Sequence, residues 1–272
     1  MARGVRENKG AGRYRLLALD LDGTIVAMDL SVDPRDEAAL AAARARGLQV
    51  SACTGRPYSG AVQWVERFQL TAPLICYQGA QVRAPDGTLL LDHGIPHDLA
   101  MEVIGFARER HLHVNAYRDD RLLVEHDTPE GREYAHHSGL QPNIVPDLDR
   151  AMGPTTPKLV IVAAEEAVTS LLPEVRERWQ GRLFVATSLP TYLEMTLPDA
   201  DKGTALRFLA GHLGIPQAET VAAGDGRNDL PMIEWAGLGV AVEGAPAEVL
   251  AAADRVVGKP GTGGLARLLD EL

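Results

Sequence analysis

The chain has 272 residues, of which 46% are hydrophobic and 24% charged, and its formal net charge is −10. This balance excludes a disordered chain and argues against a nucleic-acid binder, while the length allows one large core or two modest ones. Two cysteines, Cys53 and Cys76, exclude a disulfide framework and point to a cytoplasmic chain in which both serve as buried apolar filler.

Residues 1–13 mix Arg3, Arg6 and Lys9 with glycines and hold no apolar run, so they read as a flexible tail with neither a secretory signal nor a membrane span. Leu16-Leu17-Ala18-Leu19 then reads as a strand covered on both faces that delivers Asp20 and Asp22 to its exit, where Gly23 permits a sharp turn. Taken alone, this is an ordinary acidic turn. Open α/β sheets, however, keep their sites at such strand exits. Asp33-Pro34 opens a helix that runs through Arg46 and ends at Gly47. A strand from Gln49 to Cys53 meets Thr54-Gly55-Arg56-Pro57, which places Thr54 at a helix entrance. A hydroxyl there serves either as a structural cap or as a partner for a phosphate oxygen. A helix from Pro57 and a strand Leu74-Ile75-Cys76-Tyr77 continue the alternation, which predicts a parallel sheet.

Gln81–Ala84 and Thr88–Leu91 flank Pro85-Asp86-Gly87, a hairpin signature. Further strands are expected at His113–Tyr117, Leu122–Glu125, Lys158–Val162, Leu183–Thr187 and Tyr192–Thr196, with helices at Asp98–Arg110 and Glu165–Trp179. The interval from Asp22 to Thr54 is too short for a second domain, whereas that from Thr54 to Lys202 is ample, so an inserted α/β domain with an antiparallel sheet belongs there. Its histidines, His111, His113, His126, His136 and His137, match no zinc spacing and read as surface or packing residues. Arg118, Arg121 and Arg132 read as solvated, and Trp64, Trp179 and Trp235 as helix packing.

Asp201-Lys202-Gly203-Thr204 opens a helix to about His212, with Lys202 at the end the macrodipole makes unfavourable for a cation: either a tolerated charge or one held to neutralise an anion. The strand Thr220–Ala223 empties into Gly224-Asp225-Gly226-Arg227-Asn228-Asp229, followed by a helix Leu230–Ala236, a strand Leu238–Val242 and a last helix Gly264–Leu272. If the strands ending at Asp20 and Asp225 are neighbours, Asp20, Asp22, Asp225 and Asp229 crowd together, each like-charged pair near 4 Å costing on the order of 4 kcal/mol. Such a cluster calls for a cation, and oxygen ligands without His or Cys select a hard ion, Mg²⁺ rather than Ca²⁺.

The segments Asp20-Leu21-Asp22-Gly23-Thr24, Thr54-Gly55-Arg56, Lys202-Gly203 and Gly224-Asp225-Gly226-Arg227-Asn228-Asp229, in this order, resemble the motifs of the haloacid dehalogenase-like phosphatases, Cof-type subgroup. The resemblance implies a Rossmann-like parallel-sheet core, residues 14–80 and 195–272, with an inserted α/β cap over residues 81–194. It makes Asp20 the nucleophile and Asp22 the general acid. It gives Mg²⁺ to the carboxylates of Asp20 and Asp225 and to the backbone carbonyl of Asp22. Phosphate oxygens fall to Leu21, Thr54, Gly55, Lys202 and Asn228, with Asp229 orienting Lys202 or a metal-bound water. Two departures stand out: Gln78-Gly79-Ala80 replaces the usual Asn-Gly-Ala, and Gly244 stands where Asn is usual. The expected activity is Mg²⁺-dependent hydrolysis of small phosphorylated metabolites through an aspartyl phosphate. Transfer to a substrate hydroxyl, or regulatory binding without turnover, are the rival outcomes. The expected partner is a small phosphoester, with no nucleic acid or membrane, and the chain is expected as a monomer or small homo-oligomer.

Overall fold

The computed structural model describes residues 14–187 and 189–272, so the tail expected at residues 1–13 lies outside the described residues. Two compact units emerge. The first holds residues 14–53, Trp64–Pro73 and Lys202–Leu272, and the second Thr54–Gln63 and Leu74–Asp201. Relative to boundaries at 80/81 and 194/195, residues 54–63, 74–80 and 195–201 group with the second unit. The reason is local for the first two: Thr54 donates its N–H to Ile75, and Gln78 donates to the Thr54 carbonyl.

The first unit is built on a five-stranded parallel sheet in the order Arg255–Val257, Leu238–Val242, Thr220–Gly224, Leu16–Leu19, Gln49–Ala52. Leu16–Leu19 and Thr220–Gly224 are buried at every position, as strands covered on both faces must be. The chain moves from Leu16–Leu19 to Gln49–Ala52 on one side, and the later strands extend the sheet on the other. Leu16–Leu19 therefore stands at the topological switch point, where open α/β sheets form their crevice. The register pairs Leu19 with Ala223, so the residues after both strands leave the same edge. The helix Pro34–Ala45 starts as expected, the Asp33 carboxylate accepting from the Arg35 N–H, and it packs against Gly264–Glu271.

The second unit contains a six-stranded sheet in the order Phe184–Thr187, Tyr192–Thr196, Leu159–Val162, His113–Arg118, Arg121–Val124, Pro142–Ile144. All pairs are antiparallel except the last, which is parallel. One face, bearing Val114, Ala116, Leu159, Ile161, Leu193 and Met195, shares a core with the helices His97–Glu109 and Glu165–Arg178. Phe106 and Trp179 meet edge-on there, ring centroids 5.3 Å apart. The hairpin at Pro85-Asp86-Gly87 forms as expected, Gly87 taking φ +88°.

One expectation needs correction and one element was unforeseen. Leu74–Cys76 carries its ladder to Gln81–Arg83, antiparallel, and does not join the parallel sheet. The cause is the run Tyr77, Gln78, Gly79, whose φ values of 51°, 61° and 107° turn the chain straight back into the hairpin. A helix at Pro129–Ser138, capped by Thr128 and closed by left-handed Gly139, was not anticipated. Its markers were in the sequence, but with few apolar residues it lacks the stripe that announces a helix.

Replacing the fully buried Trp179 by Ala removes the centre of the second core. Unfolding by denaturant should show a loss of about 3–5 kcal/mol at unchanged slope. A loss under about 1 kcal/mol would contradict the packing described.

Candidate active site

Asp20 leaves the sheet with its N–H bonded to the Ala223 carbonyl at 2.9 Å, which clamps it beside the neighbouring strand. The chain then turns tightly: the Leu21 carbonyl accepts from Thr24, Ile25 and Val26, while Gly23 takes φ +88°. This turn separates the two carboxylates that the sequence places two apart. Asp20 is buried and Asp22 exposed. A side chain at Gly23 would collide with the Asp225 carboxylate, so this turn and the Gly224–Asp229 loop interlock.

Lys202, the first residue of the helix Lys202–His212, is wholly buried. Its Nζ donates to Asp20 Oδ1 at 2.6 Å and to Asp229 Oδ1 at 2.5 Å. The helix end that repels a cation is thus overruled by two carboxylates. Asp229 uses its other oxygen to accept the N–H groups of Asp225 (3.0 Å) and Gly226 (2.8 Å), so it holds both the lysine and the loop. Gly224 and Gly226 lack side chains for the same reason: a Cβ would strike Asp229 at the first and the Asn228 side chain at the second. Gly203 lets the helix approach the Pro231 carbonyl, which a Cβ would meet at 2.5 Å.

Thr24, which the sequence reading left without a role, bridges the acids: its hydroxyl lies 3.2 Å from Asp20 Oδ2 and 3.0 Å from Asp225 Oδ1. Its place one residue after Gly23, inside the first motif, was the available signal. Asp20, Asp225 and Asp229 come together around Lys202, whereas the exposed Asp22, expected to crowd with them, is not part of this acidic group because the turn at Gly23 splays it away. Asn228 is exposed on the same loop. Leu21 is buried beneath the turn. Thr54 and Gly55 belong to the second unit. There the Thr54 hydroxyl accepts from the Arg56 N–H at 3.1 Å, a local cap, and Gly55 gives room to the Gln78 amide.

The electrostatics are lopsided. Burial, then repulsion from Asp229, pushes the Asp20 carboxyl well above its ordinary range although Lys202 pulls the other way. Burial and Asp229 likewise raise Asp225. Burial works to strip the proton from Lys202, but Asp20 and Asp229 outweigh it and its pKa rises. Three carboxylates face one ammonium. Asp20, Asp225 and Asp229 each bring an oxygen within 4.8 Å of the others, the one such acidic, His or Cys group among the described residues. An all-oxygen donor set with excess negative charge fits a hard divalent cation. Because Asp229 already engages Lys202 and two amides, Asp20 and Asp225 are the carboxylates best placed to hold it.

The histidines stay outside this cluster. His113 lies 2.9 Å from both Asn115 Oδ1 and the Thr128 hydroxyl, and His137 meets the Tyr192 hydroxyl at 2.8 Å. Arg118 and Arg132 pair with Asp119 and Asp127. Both cysteines are buried and outside any disulfide.

Carboxylates grouped with a buried lysine at the switch point of a parallel sheet mark a candidate active site where open α/β proteins keep theirs. The family model of the haloacid dehalogenase-like hydrolases matches residues 17–269, and the chain belongs to that family, within its Cof-type group, as a phosphoric monoester hydrolase. It is 31% identical over 85% of each chain to the HMP-PP phosphatase of Serratia proteamaculans. It is 28% identical to the 5-amino-6-(5-phospho-D-ribitylamino)uracil phosphatase YitU of Bacillus subtilis, over 94% of this chain and 96% of the relative. Among solved structures, TM0651 from Thermotoga maritima superposes with a TM-score of 0.88 at 33% identity, covering 95% of this chain and 97% of that one. No helix among the described residues is long and apolar enough to cross a membrane.

Lys202→Met leaves Asp20 and Asp229 facing each other without their shared cation. Equilibrium unfolding should register a loss of about 3–5 kcal/mol. Adding Mg²⁺ to the native chain at a hundred times its dissociation constant should stabilise it by about 2.7 kcal/mol, and Asp225→Asn should abolish that increment. An unchanged melting temperature with Mg²⁺ would exclude a built cation site.

Proposed function

We propose that the chain is a Mg²⁺-dependent phosphatase of small phosphorylated metabolites, sugar phosphates or phosphorylated cofactors, acting through a phosphoryl group carried on Asp20. The observation that carries this reading is the buried Lys202 bridge between Asp20 and Asp229, with Asp225 beside it. Such a site holds one carboxylate in a fixed direction beside an ammonium, and its negative excess would retain the divalent cation whose charge the phosphoryl oxygens need. Phosphorylated small molecules are named as the substrates of two relatives, which favours the same class here.

In the first step an Asp20 carboxylate oxygen attacks phosphorus, the ester P–O bond breaks, and Asp22 gives its proton to the departing alkoxide. In the second step Asp22, now a carboxylate, takes a proton from water as that water attacks the aspartyl phosphate. Inorganic phosphate leaves and Asp20 is restored. The exposed position of Asp22 suits proton exchange with substrate and solvent, and the buried, bonded position of Asp20 suits a nucleophile that must not wander. Bound Mg²⁺, held by Asp20, Asp225 and the Asp22 carbonyl, would supply charge neutralisation for the phosphoryl oxygens. Lys202, Thr54, Asn228 and the amides near Leu21 and Gly55 take the remaining phosphoryl contacts in this reading, and Asp229 keeps Lys202 aimed. The inserted domain over residues 81–194 sets substrate choice. The same reading expects a cytoplasmic chain, monomeric or a small homo-oligomer, with no nucleic-acid or membrane partner.

A panel of phosphoesters assayed for inorganic phosphate release should give turnover with Mg²⁺ and none after chelation. Asp20→Asn should reduce kcat by about 10³-fold or more. Turnover that appears only when an alcohol acceptor is added would make the chain a phosphotransferase. An Asp20→Asn chain as active as the native one would end the nucleophile assignment.

A further inference from the structure

Asp120 belongs to none of the four motifs, yet its carboxylate accepts three hydrogen bonds. It occupies the turn between the strands His113–Arg118 and Arg121–Val124, where Asp119 and Asp120 are both left-handed, with φ of 49° and 63°. Its Oδ1 accepts from the Tyr58 N–H at 2.8 Å and from the Tyr77 hydroxyl at 2.9 Å, and its Oδ2 from the Ser59 N–H at 2.5 Å.

Tyr58 and Ser59 open the helix Tyr58–Arg67, which has no acidic residue in its own first turn. A carboxylate 62 residues away in the chain therefore performs the N-cap and offsets the macrodipole. That helix begins directly after Thr54-Gly55-Arg56-Pro57. The other support of this loop is the Tyr77–Gln78 backbone: Tyr77 donates its N–H to the Arg56 carbonyl at 3.0 Å and Gln78 to that of Thr54 at 3.1 Å. Both supports thus converge on one carboxylate. Tyr77 keeps its proton for the bond, since burial, with Asp120 next to it, pushes the phenol well above its ordinary pKa. The left-handed backbone of Tyr77 and Gln78 persists only where the surroundings over-determine it, and the Tyr77–Asp120 bond is one such constraint.

The geometry points to Asp120 as a positioning residue that fixes the Thr54–Arg56 loop from the turn between His113–Arg118 and Arg121–Val124, and through it the grip of that loop on a phosphoryl group. This rests on the phosphatase reading above for its kinetic consequence, but not for its structural one.

The test compares native chain, Asp120→Ala and Asp120→Asn by phosphate release with Mg²⁺, by competitive inhibition with inorganic phosphate, and by amide hydrogen exchange of residues 54–59. Asp120→Ala should raise KM and the inhibition constant for inorganic phosphate about tenfold, with a smaller change in kcat. It should also speed exchange at Tyr58, Ser59 and the loop. Asp120→Asn, which keeps one carbonyl acceptor, should recover part of both effects. Thr54→Ala should cost less in the Asp120→Ala background than in the native one, as coupled residues require. The assignment is overturned by an Asp120→Ala chain whose exchange over residues 54–59 is native. It is equally overturned by one that melts earlier while KM and phosphate inhibition stay native. If Asp120→Ala does not fold, Asp120→Asn carries the same comparison. A native chain that releases no phosphate from any ester defeats the phosphatase reading alone, and the exchange data still decide Asp120.

Discussion

A single ammonium, Lys202 Nζ, holds the strand exits of the first unit together. Placing it out of water at the electropositive end of a helix is costly twice over, and the cost is met only by Asp20 and Asp229 at 2.6 and 2.5 Å. Asp229 passes the constraint on by bonding the amides of Asp225 and Gly226. Thr24 passes it across to the first motif. Three chain segments are thereby locked around one charge. The remaining negative excess is what makes the cluster receptive to a divalent cation.

Parallel pairing supplies the frame. With Leu19 opposite Ala223, the two strands run out at the same edge, and the acids reach one another because backbone register puts them there. A slip of one residue would send the side chains of either strand to the opposite face. Complete burial of Leu16–Leu19 and Thr220–Gly224 makes such a slip prohibitive.

Much of this was legible in the amino-acid order. An apolar run that stops at carboxylates with a glycine close by gives a strand, its end and a candidate site together, and both Asp20-Leu21-Asp22-Gly23 and Gly224-Asp225-Gly226 are announced this way. Lys202 was visible as a cation at the wrong helix end. The pairing of Leu74–Cys76 was not, because it depends on two non-glycine residues adopting left-handed backbone, which no local preference of Tyr or Gln foretells. The opposite environments of Asp20 and Asp22 depend on the turn at Gly23 rather than on strand periodicity. Asp120 was hidden for another reason: its partners are far along the chain, and an Asp in a hairpin turn looks like every other Asp in a turn. The sheet of the second unit has a comparable surprise. While one face is apolar, the other carries Asn115, Tyr117, Lys158 and Glu194, with the Tyr117 hydroxyl against that of Tyr134 and Lys158 3.5 Å from Glu194.

The glycines of the first unit limit how this chain can change. Gly23, Gly224 and Gly226 each leave a gap that a neighbouring polar side chain already fills, and Gly203 sits hard against backbone. No larger residue fits at any of them without dislodging an acid, an amide or a helix. Diversity in such a lineage is channelled away from the strand exits. Substitutions that keep the carboxylate scaffold intact are confined to positions away from these four glycines.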